Sequence, residues 1–479
     1  MNPLNSTTVQ KPTYPVKIMQ FGEGNFLRAF VDWMIDKANN DGILNHGIGV
    51  VQPIAGGEFV RDLFQKQDNM YHVYLEGIKD KQPVKEVALI KSIDSVINPY
   101  SDYKKYENLF LSPDLELVFS NTTEAGIRYE EGDDLNAEPP KSFPAKVTAL
   151  LHKRFNKFNG DAAKGLYFVC CELIEDNGST LREFVIKHAE ANNLGEDFIK
   201  WVKENNHFYD TLVDRIVPGF PKETINEIKE EIGFDDNLVV KGEYFHVWAI
   251  GGDSSIKEKL PLDKAGLNVL FMDDIRPFRA KKVRILNGAH TAMVPLALQL
   301  GCETVMDAFN TPEVEQFINR MVDEEVLPGI GEDPEELKAF AAKILERFYN
   351  PYLKHYLKDI SLNSLSKWET RDFPTVVDNH NKLGKNAKLV TFSLAALLVL
   401  YSGKSEVNFT PNDTPEFVEF IQSTFNKDDI KGWVNGVINN DKIWTAKLNA
   451  VPGFADEVAA DVELILNKGM KAAIQQMLA

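Results

Sequence analysis

Cysteine is scarce: Cys170, Cys171 and Cys302 are the only three in 479 residues. Three thiols make no disulfide framework, and Cys170 and Cys171 are adjacent in a β-like run, where neighbouring side chains point to opposite faces. Reduced, buried thiols in a cytoplasmic protein are the expectation. Positive charge is also short, with 53 Lys and Arg against 71 Asp and Glu and a net charge of −18. Such a surface repels nucleic-acid phosphates and anionic membranes as a whole, while a few cations in a cleft still hold a small anion. Long hydrophobic runs are missing too. Leu394 to Tyr401 is the longest and falls far short of a membrane span, and the opening MNPLNSTTVQKPTYPV lacks the basic and apolar regions of a signal peptide. Nucleic acid and membrane are therefore not expected as partners.

What is present is an ordinary globular composition, 44% hydrophobic and 26% charged. The length exceeds one ordinary core, so two domains are expected. These are an α/β Rossmann-type dinucleotide-binding domain over 1–237 and a mainly α-helical substrate and catalytic domain over 238–479.

Val16 to Phe21 (VKIMQF) reads as a short apolar strand. Gly22, Glu23, Gly24, Asn25, Phe26, Leu27 and Arg28 follow at once. Phe26, Ala29, Phe30, Trp33 and Met34 then fall on one face of a helix that Gly42 would stop. Strand, glycine turn and helix is the order a phosphate site needs: missing side chains admit a pyrophosphate to the backbone, and the helix N-terminus binds it. Leu27 replaces the third glycine of the usual fingerprint, so the segment reads equally as a plain strand-to-helix turn. The strand Ile48 to Gln52 ends on Gln52, where NAD enzymes often carry an acid for the adenosine ribose. Gln52 can bond a ribose but does not select NAD over NADP. Leu115 to Ser120 and Leu166 to Cys171 are further strands, with a helix over Ala145 to Phe155 between them, which predicts a mostly parallel sheet with crossover helices. Asn121, Thr122 and Thr123 lie at a strand's carboxyl end, where open sheets place ligands, or form a polar turn. The acidic, proline-containing stretch 130–144 is expected to be an exposed excursion without chemistry.

After about residue 260 the pattern turns helical, with start signals at Thr311-Pro312, Asp333-Pro334 and Thr414-Pro415 and an Asp-led capping box from Asp333 to Glu336. The informative segment runs from Arg279 to Leu300. At about 100° per residue, His290 lies about 80° and Asn287 about 140° from Lys282, one broad helix face spanning roughly 12 Å. Moving a hydride to or from a secondary alcohol needs a base for the hydroxyl proton and hydrogen-bond partners for the reacting oxygen. Lys282 serves as that base if burial or the neighbouring Lys281 and Arg284 lower its pKa, with Asn287 and His290 on the substrate oxygens and no metal needed. By spacing alone, a solvated lysine and a satisfied core histidine account for the same residues.

Lys282, four residues, Asn287, two residues and His290, together with the glycine turn from Gly22 to Ala29, resemble the polyol-specific long-chain dehydrogenases, or mannitol dehydrogenase family, over nearly the whole chain. The resemblance implies a Rossmann-type domain followed by a helical one, catalysis between them, and Lys282 as the general base. It implies NAD as cofactor, held by Gly22, Gly24, Asn25, Phe26 and Arg28 with Gln52, Asn121 and Thr122. Within the family, the runs Cys171 to Gly178 and Lys281 to Thr291 imply NADH-linked, reversible reduction of D-tagaturonate to D-altronate in hexuronate breakdown. Mannitol and fructuronate enzymes carry Asp-Asn where this chain has Glu172-Leu173. That argues against mannitol 2-dehydrogenase and fructuronate reductase, and removes one expected donor to the reacting oxygen. Whether Asn177 compensates stays open. Asn350 and Pro351 through His355 to Ser364, Lys367 and Arg371 resemble the family's substrate segment. Lys367 and Arg371, four apart, share a helix face and hold a uronate carboxylate, or form an exposed basic turn. Asn177 and His355 complete the substrate residues. A small sugar acid is the expected partner, the oligomeric state is open, and an inactive NAD-binding regulator is the rival account from another class.

Overall fold

The computed structural model describes residues 1–122, 126–352 and 354–479, so Thr123 lies outside the described residues. The chain forms two compact units, one of 1–77 and 83–276 and one of 78–82 and 277–479. The division thus falls at Arg276 and Pro277 rather than at 237/238. Val247–Gly251 and Val269–Met272, expected in the helical half, are strands of the first unit's sheet. Runs of four or five residues are too short for hydrophobic period to separate strand from buried helix.

That sheet has eight strands: β1 (Val16–Phe21), β2 (Gly47–Val51), β3 (Ile93–Ile97), β4 (Leu117–Ser120), β5 (Tyr167–Cys170), β6 (His207–Asp214), β7 (Val247–Gly251) and β8 (Val269–Met272). Their spatial order is β8-β7-β6-β5-β4-β1-β2-β3. β1 to β6 are mutually parallel, while β7 runs antiparallel to β6 and parallel to β8. The parallel portion has the doubly wound Rossmann order, whose reversal beside β1 opens a crevice at the carboxyl ends. Successive residues feed two separate cores, as the pleat requires: Ile18, Leu117, Phe119, Val169 and Cys171 enter one, and Met19, Val118, Phe168 and Cys170 the other. The adjacent thiols therefore do face opposite ways, and all three cysteines are free. Val240–Glu243, Tyr71–Lys79 and Gln82–Ile90 make a separate three-stranded sheet.

The second unit is helical. Helices begin at the three expected prolines, over Pro312–Met321, Pro334–Glu346 and Pro415–Ser423. The Asp333 carboxylate accepts from the amides of Glu335 and Glu336, whereas the reciprocal capping box is found at Thr304 and Asp307. The apolar run ending at Tyr401 becomes part of the helix Lys388–Tyr401, buried on all sides and packed against Ala289–Gln299 and Phe454–Lys468, the position of a helix that is apolar all round. No helix among the described residues is long and apolar enough to cross a membrane.

Candidate active site

In the first unit, β1 hands over to a helical run, α1 (25–40), through the glycine turn. Gly22 has φ +120, and a Cβ there would stand 3.1 Å from the Asn121 carbonyl oxygen, so angle and clearance both require glycine. A Cβ on the exposed Gly24 would meet nothing within 4 Å, and no side chain caps the helix start. Among the described residues the first-turn amides therefore lack a side-chain acceptor, beside open space suited to a phosphate. Phe26 stacks on Phe30 at 4.9 Å. Arg28 turns inward, contrary to the expected cofactor contact. It donates to the Leu238 carbonyl at 2.8 Å and to Asn25 Oδ1 at 2.6 Å, with its guanidinium over the Tyr71 ring.

Gln52 is likewise committed: its amide nitrogen donates to Glu23 Oε1 and the Gly57 carbonyl, and its oxygen accepts from Asn98. Fully buried, it serves as a clasp for the turn after β2 and does not reach a ribose. Asn121 donates its backbone amide to the Phe21 carbonyl, and Thr122 donates both amide and hydroxyl to Glu172 Oε1 at 2.9 Å. The other Glu172 oxygen accepts from Ser120, so this carboxyl, pushed up by burial, ties the ends of β4 and β5 together. A cleft of about 210 Å³ at the strand ends is lined by Phe21, Gln52, Ile54, Pro99, Thr122 and Lys146, with Lys141 and Ser142 among the rest. The stretch 130–144 thus supplies part of a cleft wall and is not a bare excursion.

Leu173, in the position of the absent donor, is 63% exposed. Asn177 does not compensate. Its Nδ2 donates to the carbonyls of Cys170, Glu172 and Thr211, and its Oδ1 accepts from the amides of Gly178 and Thr211. Every hydrogen-bonding position of that amide is used on the backbone, so Asn177 clamps β5 to β6 and holds no substrate.

In the second unit the expected chemical centre lies on one helical run, α2 (276–299). It is α-helical over Arg276–Lys282, a π-turn over Val283–Gly288, and α-helical again over Ala289–Gln299. The π-turn gains one residue on an α-turn and brings Lys282 Nζ to 3.1 Å from Asn287 Oδ1. Lys281 and Arg284, the cations expected to act on Lys282, are each neutralised by a carboxylate, Glu332 and Asp378 respectively. Other neighbours act on His290. His290 is buried, its ring 4.2 Å from Phe348 and 5.2 Å from His355, and its Nε2 has no hydrogen-bond partner among the described residues. Burial first, then the charges of His355, Arg347, Lys282 and Arg371, hold its pKa well below the usual imidazole range. His355 is lowered as well, by burial and Arg347. Lys367 and Arg371 both lie on the helix Ser364–Arg371. Lys367 donates to the Ile360 carbonyl at 2.8 Å, and Arg371 to Thr291 Oγ at 3.1 Å. Burial and then the charge of Arg371 lower the Lys367 ammonium's pKa.

Sequence reasoning missed Arg347, Thr291 and Asp372, a carboxyl 2% exposed and pushed well above the usual range by burial. Only adjacency to His290 and Arg371 pointed to the last two, and nothing marked Arg347. Among the described residues no group of three or more His, Cys, Asp or Glu is disposed to hold a metal ion.

The profile of the mannitol dehydrogenase Rossmann domain matches residues 16–264, and that of the mannitol dehydrogenase C-terminal domain residues 274–466. The chain is similar to the altronate oxidoreductase of Bacillus subtilis (strain 168), with 43% identity over 479 residues covering 99% of this chain and 98% of the relative. It is 41% identical over 484 residues to the altronate oxidoreductase of Escherichia coli O6:K15:H31 (strain 536 / UPEC), covering 100% of each. Among solved structures, D-sorbitol dehydrogenase in substrate-free form shares the fold at a TM-score of 0.84 and 21% identity, over 99% of this chain and 100% of that one. The Pseudomonas fluorescens mannitol 2-dehydrogenase ternary complex with NAD and D-mannitol does so at 0.73 and 22%, over 97% and 94%. With both of its domain profiles matched in order and full-length relatives above 40% identity, the chain belongs to the mannitol dehydrogenase family.

Proposed function

We propose that the protein is an NAD-dependent altronate oxidoreductase that reduces the keto group of D-tagaturonate to the alcohol of D-altronate, and reverses that step. The observation that carries this reading is the α2 set: a lysine ammonium on an asparagine, beside a buried histidine whose Nε2 has no partner among the described residues. The full-length relatives named for the same activity support it.

The residues present fit a dinucleotide. The open space over Gly24, the uncapped first turn of α1 and the cleft at the ends of β1, β2 and β4 suit a pyrophosphate and the nucleoside beyond it. The amides of Gly24, Asn25 and Phe26 would hold it, with Gly22, whose own amide is spent on the Val51 carbonyl, giving clearance, and Asn121 and Thr122 bordering it. When bound, the cofactor supplies the hydride, or accepts it in the oxidative direction. The protein supplies the rest. Lys282 gives its proton to the former keto oxygen as the carbon is reduced and takes it back in reverse. Asn287 accepts from Nζ through Oδ1, which leaves its Nδ2 as a donor for the same oxygen. His290, kept neutral, offers Nε2 as a second contact. Arg347, Arg371 and Lys282 all act electrostatically on it, and guanidinium groups so placed suit the carboxylate of a sugar acid.

The test is NADH consumption by purified, chelator-treated protein with tagaturonate, fructuronate and fructose offered separately at equal concentration. Tagaturonate is expected to react at least about tenfold faster than either. Preference for another substrate overturns the choice within the family, and NADH binding without turnover of any of them puts an inactive regulator first.

A further inference from the structure

In an unbroken α-helix, residues five apart point about 140° from each other, so Lys282 and Asn287 would not meet. Their hydrogen bond exists because Val283–Gly288 is wound with an i→i+5 repeat. A π-turn is rare, and surrounding groups must hold it against reversion to the α form.

Gly288 closes this one. Its φ of −63 is ordinary helix, so backbone angle does not call for glycine. Clearance does: a Cβ on Gly288 would stand 2.7 Å from Asp372 Oδ1, closer than real Cβ contacts allow. Asp372 is itself anomalous, because it is buried, its Oδ2 has no hydrogen-bond partner among the described residues, and leaving a carboxyl so placed is costly. Arg371, its chain neighbour, donates to Thr291 three residues beyond Gly288, so the start of the next helical stretch is pinned from the same segment.

We propose that Asp372, seated against Gly288, is a positioning residue that keeps the π-turn wound and so keeps Asn287 on the Lys282 ammonium. The proposal rests on the reading of Lys282 as the proton-transfer group. It predicts that filling the contact unseats the pair and that removing the carboxyl relieves the clash.

The experiment compares wild type, Gly288→Ala, Asp372→Ala and the double variant in the full-length protein. Gly288→Ala is expected to lower kcat at least about 30-fold while KM and NADH affinity, read by fluorescence, stay within about threefold. The double variant is expected to recover about tenfold over Gly288→Ala, because the methyl added at 288 then fills the seat that the carboxyl vacates, the coupling of two groups in contact. A second readout needs no turnover: the pH dependence of Lys282 acylation by acetic anhydride, measured on its peptide by mass spectrometry. Its midpoint should move in Gly288→Ala and return toward wild type in the double variant. Near-wild-type kcat in Gly288→Ala, or a double variant no better than it, overturns the proposal. Should Gly288→Ala fail to fold, Asp372→Ala alone decides: a fall in kcat with an altered Lys282 midpoint supports it, and no change in either refutes it. Absence of turnover in wild type sinks the functional reading instead, and the acylation midpoints then decide the positioning role by themselves.

Discussion

Replacing Asn177 by alanine separates a structural clamp from a substrate ligand. The side chain is fully buried and its four hydrogen-bonding positions are all spent on the backbone of β5, β6 and the segment after β5, its two N–H groups shared among three carbonyls and its oxygen accepting from two amides. At a net contribution of about 1 kcal/mol each, the four sum to about 4 kcal/mol, and water entering the vacated space recovers part, leaving about 2–4 kcal/mol. Spread over a unit with urea sensitivity of about 2–3 kcal/mol per molar, that loss lowers its unfolding midpoint by roughly 1–2 M. The assay is urea unfolding of wild type and variant, followed by hydrogen exchange of peptides from 167–214 so that this unit's transition is read apart from the other's. In the same preparations KM for tagaturonate should change by less than about threefold at low temperature, where the variant is folded. A midpoint within a few tenths of a molar of wild type, joined to a KM raised about tenfold or more, would refute the clamp and return Asn177 to the substrate.

The sequence exposed the strands that border the crevice, because β1, β2, β4 and β5 each carry a compact apolar run closed by a polar or glycine residue. It also exposed the helix starts, because Thr-Pro and Asp-Pro state their position chemically. What it hid depends on contacts distant in the chain. Arg28, Gln52 and Asn177 have the polar chemistry of ligand-binding residues, yet each spends it on backbone or side-chain partners that only the fold supplies. Whether an amide faces a ligand or a carbonyl is not a property of its local pattern. The candidate site shows the same limit: Lys282, Asn287 and His290 are legible as a spacing, but an α-helical repeat gives the wrong angle between the first two. The extra residue of the π-turn leaves no mark in hydrophobic period, since Ile285 and Leu286 are buried as an α-helical reading would also have them. Arg347 enters the site from residues 347–349, a short 3-10 turn with no motif of its own.

Two further outcomes follow from particular groups. Lys282→Ala should lose most turnover at neutral pH while NADH affinity, set by the glycine turn in the other unit, stays within about threefold, and near-normal turnover would remove Lys282 from its role. The second concerns acid sensitivity through His246. Its Nε2 accepts the backbone amide of Asn268 at 3.0 Å, so the folded ring must keep that nitrogen unprotonated, and burial followed by the Arg215 charge lowers its pKa from 6.5 to about 3. A base depressed in this way binds its proton in the unfolded chain first. The stability it contributes is present above pH 6.5 and drains as pH falls through the window between 6.5 and about 3. Between pH 7 and pH 4 this one group should cost wild type about 2–3 kcal/mol. His246→Gln keeps an acceptor for the Asn268 amide and removes the titration, so its urea midpoint should fall less steeply with acid than that of wild type. The two curves should meet or cross on the acid side. Parallel curves over that range would mean that the folded ring takes up its proton as readily as the unfolded one, and that the Asn268 contact does not hold it neutral.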